Sequence, residues 1–252
     1  MKLPQGFVGA ATAAGLKSSG AKDLTLIVNQ GPLNWASAVF TTNQVIAAPV
    51  MWSKEVIKGS VVRAVVLNSG GANACTGPQG FQDTHKSAEH IASLLNHSSS
   101  EIFVCSTGMI GEFLPMDKIL KGLDVIVAQL SNEALLDCAQ AIMTTDSIHK
   151  IATVDASGVQ MSGIAKGAGM LAPALATMLS VVMTDGVVGS NASEIFAQVT
   201  ERTYNRIDSD GCTSTNDTVL FMASGASGQT LSDSELEDLL MKVCGSDRKS
   251  VV

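Results

Sequence analysis

The chain has 252 residues, of which 46% are hydrophobic and only 15% charged, against about 25% charged in an ordinary globular protein. That length makes one large domain or two small ones, with enough apolar residues for a sizeable core. The formal net charge of -7 argues against a nucleic-acid partner, which needs a basic face. No apolar stretch reaches the roughly 18 residues of a membrane span. The opening MKLPQGFVGA has no apolar signal core, and no mitochondrial or plastid leader is seen, so a cytoplasmic protein is expected. The five cysteines, Cys75, Cys105, Cys138, Cys212 and Cys244, form no C-x-x-C pair and are expected to be buried or half-buried thiols. The four histidines fit no metal-binding pattern, so no metal is expected.

Along the chain, short apolar runs alternate with amphipathic ones. Residues 24–28 read as a strand. Residues 61–67 (VVRAVVL) read as a better one, bounded by Gly59 and Asn68-Ser69-Gly70. Ala88, Ile91, Ala92 and Leu95 recur at helical spacing, which predicts a helix over 84–95. Residues 102–105 form a short strand, and 116–130 and 132–143 read as helices. A buried strand is expected at 178–183, a helix at 193–207 and another strand at 218–222. In the last helix Ser232 and Glu235 make a capping box, and Leu236, Leu239, Leu240 and Val243 form an apolar stripe with no later segment to pack against. This alternation predicts a layered α/β or α+β fold. The terminal DRKSVV can be written as the DNA of a sequencing adapter followed by a stop codon, so 247–252 is expected to be foreign and the natural protein longer.

The segment richest in chemistry is KGAGMLAPALATML, residues 166–179. A glycine-rich turn leads through Pro173 to the small Ala176, and Thr177 then opens an apolar run. A threonine hydroxyl is a weak nucleophile at neutral pH. Cutting the Ala176–Thr177 bond would give Thr177 an α-amine of pKa about 7.7–8.0, able to serve as its base. By composition alone, an ordinary strand threonine is the better reading.

Six ordered stretches change that balance. They are Ala38-Val39-Phe40-Thr41-Thr42-Asn43; Asn68-Ser69-Gly70-Gly71-Ala72-Asn73-Ala74-Cys75-Thr76-Gly77; Cys105-Ser106-Thr107-Gly108-Met109-Ile110-Gly111; Ala141-Ile142-Met143-Thr144-Thr145-Asp146; the 166–179 segment; and Asp210-Gly211 with Ser214-Thr215-Asn216-Asp217-Thr218. With Gly15-Leu16-Lys17 and Asp23-Leu24 at the start, they resemble the ornithine acetyltransferases, or bifunctional glutamate N-acetyltransferases, of arginine biosynthesis. Gly71 stands where Asn is common. The likeness runs from residue 6 to about 246.

The resemblance implies an α/β fold with two β-sheets layered between helices, as in N-terminal-nucleophile hydrolases. It implies cleavage between Ala176 and Thr177, giving an α-chain region 1–176 and the start of a β-chain region, 177–246. Thr177 matches the nucleophile, Thr107 and Gly108 the oxyanion hole, and Thr144, Lys166 and Thr177 the substrate-binding positions. For Thr107-Gly108 the plain alternative is a turn following the strand at 102–105; for Lys166 it is a solvated surface lysine; for Thr144, a helix-end cap. The implied reaction moves acetyl from N-acetylornithine to glutamate through an acetyl-threonine, with no cofactor and with acetyl-CoA as an additional donor in some members. The implied partners are these small molecules and the two halves of the cut chain in a higher oligomer. Two other readings stand: a self-processing amidohydrolase or peptidase with water as acceptor, and a fragment inactive in this form, because further substrate-binding residues of the family lie beyond this chain.

Overall fold

The computed structural model describes residues 1–168, 178–206 and 212–249, with only the backbone of 247–249. The nucleophile and cleavage positions Thr177 and Ala176 lie outside the described residues, as do Asp210 and Gly211.

Two sheets face each other. The first has the order β1 (Phe7–Thr12), β2 (Leu24–Asn29), β4 (Ala64–Gly71), β5 (Ile102–Met109); it is antiparallel except for the parallel pair β4–β5. The second has the order β3 (Trp35–Phe40), β9 (Thr218–Ala223), β8 (Leu179–Thr184), β7 (Val159–Lys166), β6 (Lys150–Ala156), with β8 and β9 parallel and the other pairs antiparallel. β2, β8 and β9 are buried at every position, as strands covered on both faces must be.

Three apolar layers explain this. Between the sheets, Phe7, Ile27, Leu67 and Phe103 meet Ile164, Val181, Leu220 and Met222, and α4 (Leu135–Ile142) adds Leu135, Cys138 and Ile142. The outer face of the first sheet carries α2 (Gly77–Leu95) and α3 (Met116–Val127) through Ala88, Ile91, Ile119 and Leu123. On the outer face of the second sheet lie α5 (Ala192–Arg202) and α6 (Asp233–Lys249), through Phe196, Val199, Leu236 and Leu240. The result is the expected arrangement of two sheets between helices.

Several sequence expectations shift. The strand expected over 61–67 begins at Ala64 and continues through Asn68-Ser69-Gly70, and the one expected over 102–105 continues to Met109, so Thr107 and Gly108 belong to β5 and not to a turn after it. Parallel pairing between these two strand ends extends both. The apolar stripe of the last helix has its partners earlier in the chain: α6 packs on α5, β6 and β7, and Leu236, Leu239, Leu240 and Val243 are buried. Its capping box forms as read, with Ser232 N–H donating to Glu235 Oε2 at 2.9 Å and Glu235 N–H to Ser232 Oγ at 3.3 Å. Cys75 and Cys212 are exposed, against expectation, while Cys105, Cys138 and Cys244 are buried. β1, β3, β6, β7 and α1 (Ala48–Val56) are not among the elements read from the sequence and enter only with the structure.

Candidate active site

The strand directions gather the motifs at one end of the sandwich. Parallel pairing brings the carboxyl ends of β4 and β5 together. In the second sheet the end of β7 lies beside the start of β8, and the start of β9 lies on its other side. A cleft of about 640 Å³ opens there, lined by Leu16, Lys17, Gly70, Thr107, Gly108, Thr144 and Lys166 among others.

Thr107 is 3% exposed, and its hydroxyl makes no hydrogen bond among the described residues. Gly108 has a φ of +129°, and a Cβ there would stand 2.5 Å from the carbonyl carbon of Gly70. Only glycine fits where β4 and β5 come this close. A hydroxyl and a backbone amide are thus adjacent at the cleft wall, the donor types an oxyanion requires.

Lys166 ends β7 and is 1% exposed, so it is not a solvated surface lysine. Burial lowers its pKa to about 8, an effect that the carboxylates of Asp146 and Asp217 partly offset. Its Nζ lies 3.4 Å from Thr144 Oγ1. Thr144 follows α4 without capping it: its N–H donates to Asp146 Oδ2 at 3.1 Å. Asp146 also accepts from Gly167 N–H at 2.8 Å and pairs with Lys150, whose Nζ donates to the Gly167 carbonyl at 2.8 Å. Burial works to raise the pKa of Asp146, but these donors together hold it below the ordinary value. The pair thereby fixes the backbone on either side of Lys166 and Thr144.

The remaining motifs brace this end. The carboxylate of Asp23 accepts the N–H groups of Ala14, Gly15, Leu16 and Lys17 at 2.6–3.1 Å and holds the cleft rim. Thr41 Oγ1 donates to the Ser214 carbonyl at 2.6 Å, and Asn43 Nδ2 to that of Thr213 at 2.9 Å. Asn216 Nδ2 donates to the carbonyls of Ala72 at 2.6 Å and Ser106 at 2.8 Å, tying the second sheet to the strand end that carries Thr107.

Asp217 stands apart. It is 1% exposed; Oδ1 accepts from Met178 N–H at 2.9 Å, while Oδ2 has no hydrogen bond within 3.5 Å among the described residues. Burial raises its pKa to about 7, against the pull of hydrogen bonding by the Met178 amide and by the side chain and backbone of Ser214, and of the charge of Lys166. The sequence reading gave no role to Asp146, Lys150, Asn216 or Asp217. Three of them lie inside motifs it had quoted, which was the available signal; Lys150 lies in none.

The family model described as "ArgJ family" matches residues 9–252. The chain belongs to the ArgJ family. It is 54% identical over 242 residues to the arginine biosynthesis bifunctional protein ArgJ of Thermobifida fusca, and 53% identical over 241 residues to that of Streptomyces avermitilis. These matches cover 96% and 95% of this chain but 63% of each relative, so the chain spans under two thirds of the length of the curated ArgJ proteins it matches. Among solved structures, ornithine acetyltransferase from Mycobacterium tuberculosis, complexed with ornithine, matches at a TM-score of 0.61 and 43% identity, over 70% of this chain and 94% of that one. An L-aminopeptidase D-Ala-esterase/amidase of Ochrobactrum anthropi, described as a variant of the Ntn hydrolase fold, matches at a TM-score of 0.57 and 11% identity over 98% of this chain and 83% of its own; that likeness is one of fold.

Proposed function

We propose that this ArgJ-family chain is part of an acetyltransferase that carries acetyl from N-acetylornithine to glutamate through an ester on Thr177, after self-cleavage between Ala176 and Thr177. The observation that carries the reading is the cleft, where the Thr107–Gly108 donor pair, buried Lys166 and Thr144 meet at the edge where β8 begins, one residue after Met178. In the cut, the Thr177 hydroxyl attacks the Ala176 carbonyl and the resulting ester is opened by water. In transfer, the same hydroxyl attacks the acetyl carbonyl, ornithine leaves, and the glutamate amine takes the acetyl group. Thr107 and Gly108 would stabilise the oxyanion of both steps, and Lys166 a substrate carboxylate. Two further observations support the reading: the M. tuberculosis protein is an ornithine acetyltransferase bound to ornithine, and 70% of this chain accounts for 94% of that solved chain. A cut after Ala176 would leave that same share, about 70% of the 252 residues, in the first product. The chemistry calls for no cofactor, and acetyl-CoA would enter only as a second donor. The two products would stay associated, within a larger oligomer, in the cytoplasm.

The test uses the full-length gene product. Intact mass should show two chains, the second beginning Thr177-Met178-Leu179, and Thr177→Ala should abolish both cleavage and transfer. Thr107→Ala should slow turnover about 10²–10³-fold with KM little changed. An active enzyme that is a single uncut chain, or one without acetylated Thr177 after donor is added, would overturn the proposal. Loss of acetylornithine at the same rate with and without glutamate would make it a hydrolase.

A further inference from the structure

The loop before β2 presents a second cation to the cleft. Gly15, at a φ of +86°, lets the chain curl around the carboxylate of Asp23, and the N–H of Lys17 donates to Asp23 Oδ2 at 3.0 Å. The far end of this lysine is pinned as well, because Nζ donates to the Lys22 carbonyl at 2.9 Å. An ammonium has three donors. Among the described residues this is the only hydrogen bond Nζ makes, and no carboxylate oxygen lies within 4.0 Å of it. The carboxylates whose charge reaches it, Asp23 and Asp146, are already taken up by backbone N–H groups and by Lys150. Burial therefore lowers the pKa of Lys17, and those charges only partly offset it. A half-buried cation without a paired anion is costly. Lys17 also stands at a junction: with Ser19 and Thr144 it lines both the cleft and an adjoining cavity of about 410 Å³, which carries Gln140 and Lys22. Its charge bears on Lys166, so two ammonium groups share one space, and no Asp or Glu lines either cavity among the described residues. A ligand with one carboxylate answers one of these cations; a dicarboxylate answers both.

We infer that Lys17 sets the choice of acceptor: it binds the side-chain carboxylate of glutamate while Lys166 holds the α-carboxylate. This rests on the acetyl-transfer reading given above. Glutamate carries two carboxylates. N-acetylornithine carries one, and its side chain ends in an ammonium. Donor and acceptor occupy the cleft in turn, as transfer through an ester on the enzyme requires. Lys17 repels the ornithine side chain and attracts that of glutamate, so one charge supplies both halves of the discrimination. It favours the departure of ornithine once the ester has formed and the entry of glutamate in its place. Because Lys17 is held at its backbone and at its ammonium, little side-chain freedom is lost when the carboxylate arrives.

The test uses the full-length gene product, with glutamate and its neutral isostere glutamine as acceptors. Lys17→Met keeps the apolar length of the side chain and removes the charge. Its KM for glutamate should rise about 10–100-fold, the loss of one hydrogen bond to a charged group, while KM for N-acetylornithine stays the same or falls. The preference for glutamate over glutamine, taken as the ratio of kcat/KM values, should shrink by the same factor. Lys17→Arg should retain most of that preference. Loss of folded protein would act on both acceptors alike and leave the ratio where it was. If Lys17→Met does not fold, Lys17→Gln takes its place with the same expectations. An unchanged ratio, or KM values for glutamate and N-acetylornithine that rise together, overturns the inference. The underlying reading fails separately, if Thr177→Ala still transfers acetyl.

Discussion

Two aspartates lie buried at the same end of the sandwich and live in opposite surroundings. Asp146 is saturated: Lys150 and the N–H groups of Thr144 and Gly167 converge on it, and its pKa is held down. Asp217 takes the Met178 amide on Oδ1 and hydrogen bonding from Ser214, has no close partner for Oδ2 among the described residues, and has a pKa pushed up to about 7. A saturated buried carboxylate stabilises a fixed shape, and here that shape is the backbone around Lys166 and Thr144. An unsaturated one costs stability in the resting fold, which proteins tolerate where the group has work to do. The contrast is between a carboxylate whose charge is matched and one whose burial is not fully offset, although both are buried.

The sharpest way to break the comparison is to remove the partner of the brace. Lys150→Met would leave Asp146 buried and uncompensated, and should cost about 3–5 kcal/mol in urea denaturation near neutral pH. A loss below about 1 kcal/mol would mean that the two backbone amides suffice. The pH dependence of stability comes next, because the two groups have opposite signs. The pKa of Asp146 is lower folded than unfolded, so its contribution is present above the ordinary carboxylate range and is lost as pH falls through the folded value. For Asp217 the folded value is the higher one. Between about pH 4 and 7 the folded state holds a proton that the unfolded chain has released, so stability falls as pH rises through this window. Asp217→Asn should therefore gain on the parent between pH 5 and pH 8, by a few kcal/mol at most at about 1.4 kcal/mol per pKa unit. Parallel stability curves for the two proteins would show that Asp217 is not strained by its burial. The smallest effect is the control. Ser232→Ala removes the cap of α6, on the outer face of the second sheet, and should cost about 1 kcal/mol equally at both pH values in the same denaturation series.

Much of the site was legible without coordinates. Thr107, Gly108, Thr144 and Lys166 were assigned by resemblance, and all four line one cleft. Asp217 and Asn216 were quoted as letters of a motif, but nothing in the letters distinguishes a carboxylate with a free oxygen from one that is saturated. Lys150 could not be found at all, because its relation to Asp146 and Gly167 depends on where β6 begins beside β7. Strand limits were misread for a similar reason. Asn68-Ser69-Gly70 and Thr107-Gly108 look like turns locally, and become strand because each supplies the other's hydrogen bonds.

The sequence by itself determined the composition of the core, the capped last helix, the family and the identities of the cleft residues, because periodicity, capping pairs and ordered motifs are local properties of a chain. Tertiary structure alone decided that motifs spread over some two hundred residues meet at one sheet edge, that Lys166 is buried, and that two aspartates of the same chemistry have opposite acidities. Those outcomes depend on strand direction and on which donors arrive from elsewhere in the chain. Burial and charge act through space, and no spacing along a sequence records them.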